Sequence, residues 1–258
     1  MIEARNHPLF EAAFRHYIAD LARKRFHAVR IAGRERLEGW DPKVPTVAYA
    51  NHSNWWDGFM AFLITHLAQG GRFHVMMEER HLARYRFFSR IGAFGVDREH
   101  PRAAHESLRH ALDLLAQSRT TVWIFPQGVL RPNDVRPLSF YPGASRLAMQ
   151  AIARYGHVRL LPVAMRYEFL QEDRPEALLR IGEPTLLTAP GPIRELNARM
   201  EREVTELLDG LVAQVMREDL GEYVPLLVGG MSLNKRLDAL KVKLGLLPRD
   251  AFDPRNGT

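Results

Sequence analysis

The chain has 258 residues, a length that suits one large α/β domain or two small ones, and with 46% of them hydrophobic and 26% charged a disordered or low-complexity chain is excluded. The lack of any cysteine removes disulfides, thiolate metal sites and a cysteine acyl-enzyme. Lys24, Lys43, Lys235, Lys241 and Lys243 are the only lysines among 36 basic residues, so arginine carries the net charge of +6, and its planar fork suits phosphate and carboxylate partners.

The first residues, MIEARNHPLFEAAF, are polar where a secretory leader needs an apolar core, so no export signal is expected. Residues 8 to 28 read as an amphipathic helix, with Phe10, Phe14, Tyr17, Ile18 and Leu21 on one face. Basic residues Arg23, Lys24, Arg25, His27 and Arg30 follow. Such a helix either rests in a membrane interface or covers a core. Short apolar runs come next: 46–50, 73–77, a stretch ending at Val96, 120–125 and 158–165. Helical spacing over 57–68, 81–90, 101–118 and 143–155 separates them. The most apolar of these, 58–68, is far short of the roughly 20 residues that span a bilayer. Strands alternating with helices predict an α/β fold with a mostly parallel central sheet flanked by helices. The N-terminal amphipathic helix precedes it and a helical C-terminal tail follows.

Three segments of one domain are expected: the helix 1–28, an α/β core 29–190 and a helical extension 191–258. In the last, 192–220 is helical, and 223–248 joins an apolar run to a basic amphipathic stretch. There Leu233, Leu237, Leu240 and Leu244 share a side with Lys235, Arg236, Lys241 and Lys243 around them. That stretch reads as a second membrane-facing element or as a helical pair capping the sheet.

Parallel sheets place their working residues at the carboxyl ends of strands. Directly after the run 46–50 comes NHSNWWDG, residues 51–58. His52 sits at that end and Asp57 opens the next helix. Five residues do not bring two side chains to one helix face, but a strand–turn–helix step does. A carboxylate on one imidazole nitrogen fixes the tautomer and supports the cation formed when the other nitrogen takes a proton. The pair is therefore a candidate general base, or else a helix-capping Asp beside a loop histidine. Trp55 and Trp56 between them line an entrance at a membrane interface or pack in the core. His100, His105 and His110 are spread around a helix, and no zinc-ligand spacing appears, so no metal is expected.

Four ordered segments resemble the glycerophosphate and lysophospholipid acyltransferase family, whose best-known member makes phosphatidic acid from 1-acyl-sn-glycerol-3-phosphate. The motif N-H-x-x-x-x-D is matched by Asn51, His52 and Asp57; a second, G-x-x-x-[IV]-D-R, by Gly92, Val96, Asp97 and Arg98. The third, F-P-E-G-T-R, corresponds to FPQGVLR, residues 125–131, and the fourth, an apolar strand with proline, to LLPVAM, residues 160–165. The resemblance implies that His52 and Asp57 are catalytic, with His52 taking the proton of an acceptor hydroxyl that attacks the thioester of acyl-CoA or acyl carrier protein. It implies no cofactor beyond that co-substrate, and a substrate-binding set of Asn51, Arg98, Gln127, Gly128, Arg131 and Pro162. Arg98 stands where the family motif faces the acceptor phosphate. Direct transfer agrees with the absence of cysteine and of a G-x-S-x-G elbow.

The third motif departs from the family. Gln127 replaces the usual glutamate, and Val129-Leu130 displaces the arginine to Arg131. Gln127 hydrogen-bonds but brings no charge. Besides a phosphorylated lysolipid, a non-phosphorylated lipid alcohol or a lipid-binding member without turnover stays open. The expected partners are an acyl thioester, a lysolipid and an anionic membrane surface. The expected location is cytoplasmic and peripheral, on the inner face of the cell membrane. Nucleic acid is not expected, because the arginines are dispersed and the aromatics lie in apolar runs.

Overall fold

The structure is a computed structural model and describes residues 1–39, 41–230, 237, 241–244 and 246. A nine-stranded sheet lies at its centre. In chain order the strands are β1 (Ala28–Ala32), β2 (Thr46–Ala50), β3 (Arg72–Glu78), β4 (Ala93–Val96), β5 (Thr120–Ile124), β6 (Val158–Glu168), β7 (Glu176–Ile181), β8 (Thr185–Leu187) and β9 (Val224–Val228). The helices are α1 (Pro8–Arg25), α2 (Asp57–Leu63), α3 (Glu79–Arg84), α4 (Pro101–Leu115), α5 (Gly143–Tyr155) and α6 (Ile193–Met216). The sheet order is β4-β3-β5-β2-β6-β7-β1-β9, with β8 also on β6. From β4 to β6 all neighbours are parallel. β7 and β8 run antiparallel to β6, β1 parallel to β7, and β9 antiparallel to β1. The expected mostly parallel α/β sheet thus forms the middle of the molecule.

Both faces of this sheet are covered, which is why its strands read as unbroken apolar runs. Successive side chains point to opposite faces. Ala48 and Ala50 of β2, Trp123 of β5 and Val163 of β6 meet α1 and α2 on one face. Val47, Tyr49, Val122 and Ala164 meet α4, α5 and α6 on the other. Each large side chain buried in these layers contributes about 1.5–3 kcal/mol.

The expected apolar stripe of α1 turns largely inward. Ile18 is 1% exposed, and the Phe14 ring lies 5.4 Å from that of Phe62, whereas Leu9 and Tyr17 remain outside. Most of this helix face therefore covers the core. The helix ends at Arg25, three residues before the expected limit, because Phe26 takes an extended backbone and Ala28 enters β1.

Beyond residue 191 the expectation of an all-helical extension is corrected. Leu196, Met200, Val204 and Leu208 bury one face of α6 in the same core, so α6 belongs to the α/β body. Residues 224–228 are strand, not helix: they pair with β1, which would otherwise leave its outer backbone groups open. Pro225 is tolerated because β9 is an edge strand. The basic stretch around Leu233 and Leu240 lies outside the described residues.

The connections place the site. After β2 the chain passes towards β3, whereas after β5 it passes the opposite way, over β2, to reach β6. β2 and β5 are neighbours and the helices after them pack on opposite faces, so their following loops part at their carboxyl ends, where sheets of this kind form their binding crevice.

Candidate active site

The loop after β2 and the N-terminus of α2 hold the His–Asp pair in this crevice. Asp57, fully buried, opens α2 and folds back over its own loop. Its Oδ2 accepts from the backbone N–H groups of Ser53 at 2.7 Å and Asn54 at 2.8 Å, and from His52 Nδ1 at 2.9 Å. The acid thus caps its own approach loop and fixes the imidazole with the same oxygen. This contact assigns the Nδ1–H tautomer and leaves the Nε2 lone pair pointing away from the carboxylate. His52 is about a quarter exposed, with its ring stacked at 4.6 Å on Phe125, the residue that follows β5.

The loop after β5 closes on the same histidine. Gln127, only 2% exposed, accepts the His52 backbone N–H at 2.5 Å, and the Arg131 N–H donates to the His52 carbonyl at 2.8 Å. The third motif therefore grips the first through backbone groups, and the amide of Gln127 suffices for its part. Gly128 adopts φ +66°, and a Cβ built there would come within 2.1 Å of an Arg98 guanidinium nitrogen. The left-handed backbone favours glycine, and its bare Cα lets the Arg98 guanidinium lie against the loop. Arg98 also lies over the Tyr141 ring, 5.3 Å from its centroid. No carboxylate pairs with Arg98 or Arg131 among the described residues, so both guanidinium groups are available to an anion.

Two of the expected substrate-binding residues, Asn51 and Pro162, have their partners within the sheet. Asn51 is 1% exposed; its amide donates to the Met165 carbonyl and to Asn133, each at 2.8 Å, and accepts from the Met165 N–H at 2.8 Å. It ties the end of β2 to β6. Pro162 sits inside β6 opposite Tyr49, well before the strand's end, and its carbonyl accepts from Gly182 at 2.8 Å. Since N–H and C=O of one residue point the same way, the missing Pro162 N–H faces the break between β8 and β7, and no bond to β2 is lost. Pro162 is thus part of the frame, away from the catalytic pair.

Spacing alone could not reveal Tyr167 and Asn133. Tyr167, 110 residues from Asp57, donates its hydroxyl to Asp57 Oδ1 at 2.6 Å. Burial first, and the Asp57 charge next, push its phenol well above the ordinary value, so it stays a donor. The described residues contain no group of three or more His, Asp or Glu able to hold a metal ion.

The site is thus a carboxylate-oriented histidine at the switch point of a mostly parallel sheet, the arrangement of an α/β protein that works at its strand ends. The sequence profile of the Acyltransferase family matches residues 28–166, more than half of the chain, and the chain belongs to that family. Its fold is similar to that of the 1-acyl-sn-glycerophosphate (LPA) acyltransferase PlsC from Thermotoga maritima, with a TM-score of 0.53 and 19% identity over 80% of this chain and 78% of that one. No curated protein gives a significant match. No helix among the described residues is long and apolar enough to cross a membrane.

Proposed function

We propose that this acyltransferase moves a fatty acyl group from a thioester, acyl-CoA or acyl carrier protein, to a hydroxyl of a lysophospholipid or glycerophosphate-type acceptor. The observation that carries this reading is the His52–Asp57 contact, made where Arg98 and the Gln127 loop converge. His52 Nε2 takes the hydroxyl proton as the acceptor oxygen attacks the thioester carbonyl, and Asp57 stabilises the resulting imidazolium. The tetrahedral intermediate then expels the thiolate, which recovers the proton from His52. Arg98 and Arg131 receive the acceptor phosphate. The 1-acyl-sn-glycerophosphate acyltransferase of similar fold supports the acceptor class, and phospholipid biosynthesis is the corresponding role.

The protein acts as a peripheral one on the cytoplasmic face of the cell membrane, docking by its strand-end rim. Trp55, Val129, Leu130, Tyr141 and Phe169 are all exposed in loops after β2, β5 and β6, around the crevice. An anionic surface attracts the neighbouring arginines.

A second reading, transfer to a neutral lipid alcohol, is favoured by the uncharged Gln127 and the displaced Arg131. One assay tests both readings: purified protein, labelled acyl-CoA and a panel of lysolipids, glycerol 3-phosphate and lipid alcohols, with products identified by mass spectrometry. Acylation of phosphorylated acceptors, lost in His52→Ala, is the expected result. Acylation of neutral alcohols alone would establish the second reading, and transfer to no acceptor would overturn both.

A further inference from the structure

Asp57 has two oxygens with different duties. Oδ2 serves His52 and two backbone N–H groups, whereas Oδ1 accepts the Tyr167 hydroxyl at 2.6 Å. The carboxyl group is fully buried, so an unpaired Oδ1 would be costly, and rotation of the group to satisfy it would draw Oδ2 off the imidazole. Tyr167 is itself held. Its ring packs 5.8 Å from Phe26, which meets Trp56 edge-on at 4.9 Å, and it projects from the long strand β6. The end of α1, the 51–58 loop and β6 thereby share one aromatic support behind the carboxylate.

We infer that Tyr167 is a positioning residue for the catalytic pair, fixing the Asp57 carboxylate so that Oδ2 faces His52 Nδ1. This inference rests on the reading of His52 as the general base. Tyr167 does not touch substrate; it acts through Asp57. A carboxylate drawn off Nδ1 no longer supports the imidazolium, so loss of the hydroxyl weakens the base.

The experiment compares the full-length protein with Tyr167→Phe, Asp57→Asn, the double variant and His52→Ala. The readouts are kcat, KM, thermal melting and the titration of the His52 ring followed by NMR. Tyr167→Phe is expected to lower kcat roughly ten-fold with KM unchanged, as loss of one hydrogen bond to a charged group implies. The His52 titration and the acid limb of the rate profile are expected to move downward together, because a displaced carboxylate no longer supports the imidazolium. In the Asp57→Asn background the same substitution should cost nothing further. Replacement of Tyr167 by 3-fluorotyrosine keeps the ring and the donor, so turnover and the His52 titration should stay near those of the unaltered protein; this holds the test open if the Phe variant melts early. Unchanged kcat and titration in Tyr167→Phe, with His52→Ala inactive, would overturn the inference alone. An additive loss in the Asp57→Asn background would also overturn it. Near-normal turnover by His52→Ala would instead remove the reading of the base on which it rests.

Discussion

His52 and His74 belong to neighbouring regions of one sheet and are treated in opposite ways. His52 follows a strand's carboxyl end, is about a quarter exposed, and has a carboxylate on one nitrogen. His74, near the amino end of β3, is 2% exposed, and neither ring nitrogen has a hydrogen-bond partner of normal geometry. Burial pushes His74 down to about 4, and the charge of Glu11 only partly opposes this. The lesson is that depth alone does not equip a histidine for proton transfer. A desolvated ring without a partner merely stays neutral, whereas one with a carboxylate behind it and an open nitrogen in front can cycle.

The comparison breaks if His52 proves dispensable. His52→Ala is expected to lower turnover about 10²- to 10⁴-fold with an unchanged melting temperature, read by mass spectrometry of acylated product. Asp57→Asn should come next in size, since it keeps the shape but removes the charge that supports the imidazolium; near-normal rates in either variant would dissociate the pair from catalysis.

The arginines proposed to receive the acceptor phosphate sharpen the same contrast on the substrate side. Arg98→Ala should raise KM for a phosphorylated acceptor roughly ten- to a hundred-fold, because a charged hydrogen bond contributes about 1.5–3 kcal/mol. Arg131→Ala should do less, since its main contact is a backbone bond to His52. Equal small effects would favour the neutral alcohol. Gln127→Glu provides a companion measurement: a carboxylate there keeps the acceptor for the His52 N–H, so activity on lysophosphatidic acid should be retained or improved.

His74 supplies the stability counterpart. Its proton affinity is lower folded, at about 4, than unfolded, near 6.5, so its contribution is present above pH 6.5 and lost as the pH falls towards 4. The loss is at most about 3 kcal/mol. Denaturant melts at pH 7 and pH 4.5 should show His74→Phe flattening this slope. A residual slope should persist, because burial also lowers His110. An unchanged slope would mean that His74 does not carry it. The smallest expected effect is at the membrane rim. Trp55→Ser with Leu130→Ser should weaken flotation with anionic vesicles, and binding should fall with salt at about 1 kcal/mol per basic residue near the surface. Failure of the unaltered protein to float at low salt would remove the membrane reading.

The candidate site is legible wherever its members are neighbours in sequence. His52 and Asp57 lie five residues apart around one turn, and strand-then-helix patterning gives that turn its form. Arg98 and the 125–131 loop were legible as motifs, although that they meet at Gly128 was not. Tyr167 left no trace, since a tyrosine near the end of an apolar strand looks like any other. The same limit governed the strands. Residues 176–181, EALLRI, are strong helix formers yet become β7, because β6 and β1 offer backbone partners on both sides and the core accepts their side chains. Residues 29–32 carry no strand signal beyond the expected helix 8–28, yet Arg30 finds Glu176 on the neighbouring strand, at 2.5 Å, and β1 forms.

By itself, then, the order of residues determined the elements that local periodicity can write: the parallel strands from β2 to β6, the helices between them, and a histidine and aspartate on one turn. Hydrophobic spacing and turn chemistry act over a few residues, so they survive in the sequence. Tertiary structure alone decided that β7, β1 and β9 extend the sheet, that the α1 stripe faces inward, and that Tyr167 backs the carboxylate. Those outcomes depend on backbone hydrogen bonds and apolar area supplied by segments up to about two hundred residues away, and no local pattern encodes a partner at that distance.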